Sequence, residues 1–333
     1  MSELRQNRIT RDWVIMATER TGRPDAFAKQ RKTSPSLPAY DPQCPFCPGN
    51  EHLSHLDTDR IRQESTWKIR AVPNKYPALS STGERIRKAE GLNRSMTGVG
   101  VHEVIIEDPR HDMSMALLSL PDVAAILTMY RMRYAAIRKD PRVEAIVIFK
   151  NHGEAAGTSI VHPHSQIAAT PIVPTQIRAR IEEAIRFVDD YGECLFCRTV
   201  REELEARKRI IVETSHFVAF HPYAALSPFH TWIFPKRHMP SFDDITDQEI
   251  VDLASTLKIF LGKLYHGLGN PDFNLSIRSI PTNDRNTEYF HWYMAIVPRV
   301  SKTAGFEMGS GMFINTVLPE ESAAFLREIK TPE

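Results

Sequence analysis

The chain has 333 residues, 42% hydrophobic and 25% charged, with 42 basic against 41 acidic side chains. That supplies one or two packed cores, and a formal net charge of +1 offers no broad basic field for nucleic acid or an anionic membrane. The opening MSELRQNRITRDW has no apolar leader and no apolar run reaches membrane-spanning length, so a cytoplasmic protein is expected.

In chain order, the first chemical feature is CPFCPGN, with Cys44 and Cys47. In a reducing compartment such a pair is a metal site or a redox dithiol more often than a disulfide. A redox pair usually opens a helix. Here prolines stand before and inside the pair and Pro-Gly-Asn follows, which is the composition of a metal-binding turn. A charged stretch around Ser80 to Met96 precedes VHEVIIE, which has strand length and composition. His111 follows in the turn EDPRHDM. Pro121 to Arg138 is predicted as an amphipathic helix and VEAIVIF as a strand. The loop NHGEAAGTS, from Asn151 to Ser159, is small and glycine-containing. It can bring backbone N–H groups and the Ser159 hydroxyl to a phosphate. The strand SIVHPHSQIAA comes next, then a helical connector, QIRARIEEAIRFVDDYG.

The second half opens on CLFC, with Cys194 and Cys197. His238 stands in the turn FPKRHMP. A helix is predicted over Thr246 to Tyr265 with Thr246 as its N-cap. FNLSIRSI and YFHWYMAIVPR, with His291, read as strands, and Pro319 to Lys330 as a last helix.

The two halves repeat one order of elements. Cys44 to Cys194 is 150 positions, His111 to His238 is 127 and His162 to His291 is 129. The charged stretch accounts for the drop, and afterwards the halves keep step within two residues. The expected class is α+β, with two tandem units, residues 1–173 and 174–333, each an antiparallel sheet with covering helices.

The repeat sorts the histidines. Cys44, Cys47, His111 and His162 occupy positions equivalent to Cys194, Cys197, His238 and His291. Two thiolates and two imidazoles form a closed tetrahedral site, so two structural zinc ions per chain are expected. A lone histidine in a turn is ordinarily a solvated surface residue, and recurrence is what argues otherwise here. His52, His55, His102, His152, His216, His221, His230 and His266 have no such support and are read as surface or loop residues.

The strand SIVHPHSQIAAT spaces His162, His164 and Gln166 two apart, on one face. If both histidines were ligands, the second half would keep both. It reads His291-Trp292-Tyr293, so His162 has a counterpart and His164 has none. A neutral imidazole held beside an anchored one can attack phosphorus, and the amide of Gln166 can hold a phosphate oxygen.

HPHSQ resembles the histidine-triad-related active-site motif of the galactose-1-phosphate uridylyltransferases. NRITRDWVIMATERTGRPD, DPQCPFCPGN, VPNKYPAL, FKNHGEAAGTSIVHPHSQ and AGFEMGSGMFIN are also similar to segments of that family, so the resemblance spans nearly the whole chain. It implies two histidine-triad-like units, an N-terminal catalytic half and a C-terminal degenerate half. It further implies a double displacement in which His164 takes a nucleotidyl group from a nucleoside diphosphate sugar and passes it to a sugar 1-phosphate or phosphate. Gln166 and Ser159 would hold phosphate oxygens, and the His162 backbone would orient the His164 ring. Asn74 would contact base or ribose, and Asn151, Gly157 and Thr158 would line the substrate. Glu307 and Asn315 would act across the interface of a homodimer.

The first expectation is transfer between UDP-glucose and a hexose 1-phosphate. The alternative is adenylyl transfer to inorganic phosphate from ADP-glucose or adenylyl sulfate, as in a divergent branch of the family. Ser165 stands where the best-known members carry glycine or cysteine. Phe306 stands where they carry tyrosine, and their later glutamine has no counterpart. A zinc-stabilised scaffold without catalysis is the reading from another class.

Overall fold

A computed structural model describes residues 2–19, 24–28, 37–64, 66–284 and 287–331. Residues 20–23 of the opening segment named above lie outside the described residues. The strands are β1 (Glu3–Gln6), β2 (Trp13–Met16), β3 (Asp59–Gln63), β4 (Thr66–Pro73), β5 (Arg87–Glu90), β6 (Asn93–Met96), β7 (Val101–Ile106), β8 (Ala145–His152), β9 (His164–Thr170), β10 (Ile210–Glu213), β11 (Phe217–Phe220), β12 (Thr231–Pro235), β13 (Phe273–Arg278), β14 (Tyr293–Pro298) and β15 (Phe313–Asn315). The helices are α1 (Asp25–Ala28), α2 (Leu120–Ile137), α3 (Thr175–Tyr191), α4 (Leu195–Ala206), α5 (Asp247–Leu268), α6 (Gly305–Ser310) and α7 (Pro319–Glu328).

Ten strands form one sheet in the order β10-β11-β12-β14-β13-β8-β9-β7-β4-β3, antiparallel throughout. Counted outward from its centre, β8-β9-β7-β4-β3 on one side matches β13-β14-β12-β11-β10 on the other. The expectation of a sheet for each half is corrected here. Each half places an unpaired edge at β8 or β13, and those edges pair over Phe273–Ile277 and Ile148–His152. Joining them satisfies two rows of backbone groups that separate sheets would expose.

The structure bears out both long helices and the predicted cap of the second. Thr246 caps α5 in a reciprocal capping box with Glu249, and Gly269 ends it at φ 72°. Ser119 caps α2, with a proline in its first turn. Both helices bury apolar stripes against one face of the sheet. Val123, Ile126, Leu127, Tyr130 and Tyr134 meet Leu253, Leu257, Phe260 and Leu261 in a core that takes strand residues from both halves, among them Ile105, Ile167, Ile233 and Leu275. The other face carries two smaller clusters. One holds Phe46, Trp67, Val104 and Ile106; the other holds Phe196, Phe220, Trp232, Phe234 and Tyr293. Between them Val147, Phe149, Asn151 and Gln166 are partly exposed.

Two further features have local causes. The charged stretch before VHEVIIE folds as the exposed hairpin β5–β6, since its alternating polar residues pair with each other and bury nothing. CLFC starts a helix, with Cys194 as the N-cap of α4, because no proline interrupts it.

Candidate active site and metal centres

His162 stands in the bend just before β9 and His291 in the irregular stretch just before β14, neither within a strand. A bend frees the ring from the pleat and lets it reach the cysteine turn. Cys44, Cys47, His111 and His162 are all buried, and one ligand atom from each lies within 4.8 Å of the others. Cys47 Sγ is 3.6 Å from Nδ1 of both His111 and His162. His162 Nε2 donates to the carbonyl of Asp108 at 2.8 Å, which leaves the Nδ1 lone pair facing the cluster. Tetrahedral zinc with thiolate and imidazole ligands has edges of about 3.6 Å, so the donor set and its spacing fit. Burial pushes the Cys44 thiol up to about 11 and holds His162 down to about 4. Cationic imidazole is thus disfavoured at His162.

In the second half Cys194, Cys197 and His238 form a similar group within 4.8 Å. Cys197 Sγ lies 3.2 Å from His238 Nδ1 and 3.5 Å from His291 Nδ1. His291 therefore reaches Cys197 but stands outside the tight triplet. His238 Nε2 donates to the Thr287 carbonyl at 3.1 Å. Two Cys/His groups thus carry donors suited to a metal ion.

His164 opens β9 and is almost fully buried. Its Nδ1–H donates to the carbonyl of His162 at 2.9 Å, so Nε2 keeps its lone pair. Burial pulls its basicity below the ordinary value, and the ring is neutral at pH 7. Phe46, inside the cysteine turn, packs against it with ring centroids 5.4 Å apart.

A buried polar network on the core side of the strand is not apparent from the sequence. Lys150 Nζ donates to Glu107 at 2.7 Å and to the carbonyl of His164 at 3.0 Å. Glu107 also accepts from the Ser165 hydroxyl and from Tyr130 OH at 3.1 Å. The only hint in the sequence is polar residues at inward positions of apolar strands, Glu107 in VIIE and Lys150 in IVIFK.

Gln166 faces the same side as His164. Its Oε1 lies 3.2 Å from Asn74 Nδ2 and 2.8 Å from His102 Nε2. His102, read from the sequence as a surface or loop residue, is a β7 residue next to the predicted site. His221 and His230 also depart from that reading. Both are buried, His221 Nδ1 donates to the His230 carbonyl at 2.9 Å, and burial holds each ring down to about 3.

The loop from Asn151 to Ser159 is organised differently from a backbone phosphate cradle. The N–H groups of Ala155, Ala156, Gly157 and Thr158 are taken by Asp272 and by the loop's own carbonyls. Gly153, at φ 84°, presses so close to Asp272 that a Cβ would fall 2.1 Å from its Oδ1. Gly157 turns the chain at φ 88°. Asn151 accepts from Asn274 at 2.8 Å, the Thr158 hydroxyl donates to the Ile160 carbonyl, and Ser159 is exposed.

Glu307 caps the short helix α6 through the N–H of Ala304 at 2.9 Å. Asn315 is buried in β15, donating to Ala225 O at 2.9 Å and accepting from Val317 N–H at 3.1 Å.

Comparison with known proteins adds four findings. An ADP-glucose phosphorylase from Arabidopsis thaliana is 35% identical over 98% of this chain and 93% of that protein. A galactose-1-phosphate uridylyltransferase from Thermotoga maritima is 29% identical over 98% of each. The crystal structure of an Arabidopsis thaliana ADP-glucose phosphorylase with bound ADP-glucose superimposes with a TM-score of 0.83 at 33% identity, covering 99% of both chains. Residues 1–174 match the model of the galactose-1-phosphate uridyl transferase N-terminal domain and residues 180–330 that of the C-terminal domain. With both domain models matched and relatives aligned over nearly its full length, the chain belongs to the galactose-1-phosphate uridyl transferase family of nucleotidyltransferases.

Proposed function

We propose that this enzyme transfers an adenylyl group from ADP-glucose to inorganic phosphate by double displacement at His164. The observation that carries the displacement is the bond from His164 Nδ1–H to the His162 carbonyl, which leaves a neutral, buried Nε2 as nucleophile. In the first step Nε2 bonds to the α-phosphorus. The bond from phosphorus to the bridging oxygen breaks, and glucose 1-phosphate leaves with that electron pair. Nδ1 keeps its proton, and the His162 carbonyl stabilises the charge that the ring gains. In the second step a phosphate oxygen bonds to phosphorus and the N–P bond breaks, giving ADP and the neutral ring. The NH2 of Gln166 and the exposed Ser159 hydroxyl serve the phosphate oxygens. Asn74, Asn151, Gly157 and Thr158 line the nucleotide sugar.

The adenylyl reading is supported by the 35% identity to the ADP-glucose phosphorylase and the 0.83 TM-score to its relative with bound ADP-glucose. Transfer between UDP-glucose and a hexose 1-phosphate is the second reading, supported by the 29% identity to the uridylyltransferase.

We assign two structural zinc ions per chain, one held by Cys44, Cys47, His111 and His162 and one by Cys194, Cys197, His238 and His291. The matched strand order about the centre of the sheet supports a duplicated histidine-triad-like unit, divided at residues 173 and 174. The working form is read, from the family resemblance, as a cytoplasmic homodimer in which Glu307 reaches the partner's site. Among the described residues no helix is long and apolar enough to cross a membrane.

The test is incubation with ADP-glucose and UDP-glucose, each labelled in the α-phosphate, followed by denaturation. Acid-labile, alkali-stable label on protein from ADP-glucose, absent in His164→Ala, is the expected result. Label from UDP-glucose alone reverses the order of the two readings, and label from neither removes both.

A further inference from the structure

The orientation of the Gln166 amide follows from backbone groups whose hydrogen-bonding roles are unambiguous. The N–H of Tyr76 donates to one end of the Asn74 amide at 2.8 Å. That end is the oxygen, so the other end is the NH2. The N–H of Ala78 donates to Nδ1 of His102 at 3.0 Å, so the neutral ring carries its proton on Nε2. Both remaining donors, 3.3 Å from each other and so not bonded to one another, converge on one atom of Gln166, Asn74 Nδ2 at 3.2 Å and His102 Nε2 at 2.8 Å. A nitrogen there would set donor against donor, so that atom is the carbonyl oxygen. The NH2 of Gln166 is left on the opposite side.

Strand register explains the meeting. On β7 and β9 Val104 pairs with Gln166 and His102 with Ala168, so His102 and Gln166 are diagonal neighbours on one face. The carbonyl of His102 also accepts from Asn74 N–H at 2.9 Å. One residue of β7 therefore holds the Asn74–Ala78 segment by backbone and ring and the Gln166 amide by its second nitrogen.

We infer that His102 is the positioning residue for the transfer: it fixes the Gln166 amide with its NH2 toward the phosphate and ties that orientation to the Asn74–Ala78 segment. This rests on the proposed reaction at His164. Without His102, Asn74 is the one partner among the described residues that opposes a flip of the amide. A flipped amide presents its oxygen to the phosphate, repelling the charge it should stabilise.

The wild-type protein is first treated with ADP-glucose and with UDP-glucose labelled in the α-phosphate. Absence of labelled histidine with both overturns the reading at His164 and this one with it. Single-turnover transfer is then compared, with the sugar nucleotide that labels, for His102→Phe, His102→Gln, Gln166→Ala and the His102→Phe/Gln166→Ala double variant. At saturating nucleotide His102→Phe is expected to slow transfer by roughly 10- to 100-fold, while the half-saturating concentration changes little. His102→Gln, which retains a donor, recovers part of the rate. In the Gln166→Ala background His102→Phe has no further effect. Transfer at the wild-type rate in His102→Phe overturns the proposal, and so does the same loss in both backgrounds. Thermal midpoint and zinc content identify a variant that has not folded, and should His102→Phe be one, His102→Gln carries the same comparison in both backgrounds.

Discussion

The carbonyl oxygen of His162 lies 2.9 Å from Nδ1 of His164, while the ring of His162 turns the other way to the cysteine turn. One residue thus faces the Cys/His group with its side chain and the proposed nucleophile with its backbone. The proline between them, with no N–H to satisfy, spans the bend before β9.

The two metal centres should therefore differ in what their loss does. Cys44→Ser removes a ligand beside the nucleophile, so both the thermal midpoint and the rate of labelling at His164 should fall. Cys194→Ser should lower the midpoint and leave the labelling rate per folded molecule near wild type. Elemental analysis should find two zinc ions in the wild type and one in each variant.

His164→Gly should fold with wild-type zinc content and take no label. Added imidazole should restore turnover in that variant, since a free ring can occupy the space that the side chain leaves. Failure of imidazole to restore any turnover, in a variant of wild-type stability, would argue against the ring as nucleophile.

Lys150 and Glu107 are buried together, with 2% and 0% of their side chains exposed. Changing Lys150 to Met leaves a buried carboxylate without its cation and should cost about 3–5 kcal/mol of stability. Adding Glu107→Gln should return much of that loss, because the stranded charge is gone. Urea unfolding of both single variants and the double variant measures the coupling.

Acid should destabilise the fold through His221 and His230. Their folded values, near 3, lie below the ordinary 6.5, so the unfolded chain binds protons first. Their contribution is constant above about pH 6.5 and is lost as pH falls toward 3, by up to about 1.4 kcal/mol per histidine per pH unit. His221→Gln should flatten the dependence of the urea midpoint on pH between 6.5 and 4.5.

The CPFC turn, the predicted helices over Pro121–Arg138 and Thr246–Tyr265 and the lack of a second-half counterpart to His164 were legible in the chain itself. Capping residues and apolar period are local signals, and the repeat compares a chain with itself, so His164 stands out against Tyr293 without coordinates. The union of the half-sheets was not legible, because nothing local marks β8 and β13 as edges that will pair.

The sequence by itself determined the chemistry available: paired thiols and imidazoles, and one histidine without a counterpart in the other half. Tertiary structure alone decided how those groups are aimed. Asn74 and Gln166 are 92 positions apart, Glu107 and Lys150 43, and His102 and Gln166 64. Each pair meets only through the order and register of the strands in the sheet. That order is set by which edges bury most surface and satisfy most backbone groups, a property of the whole fold and not of any segment of it.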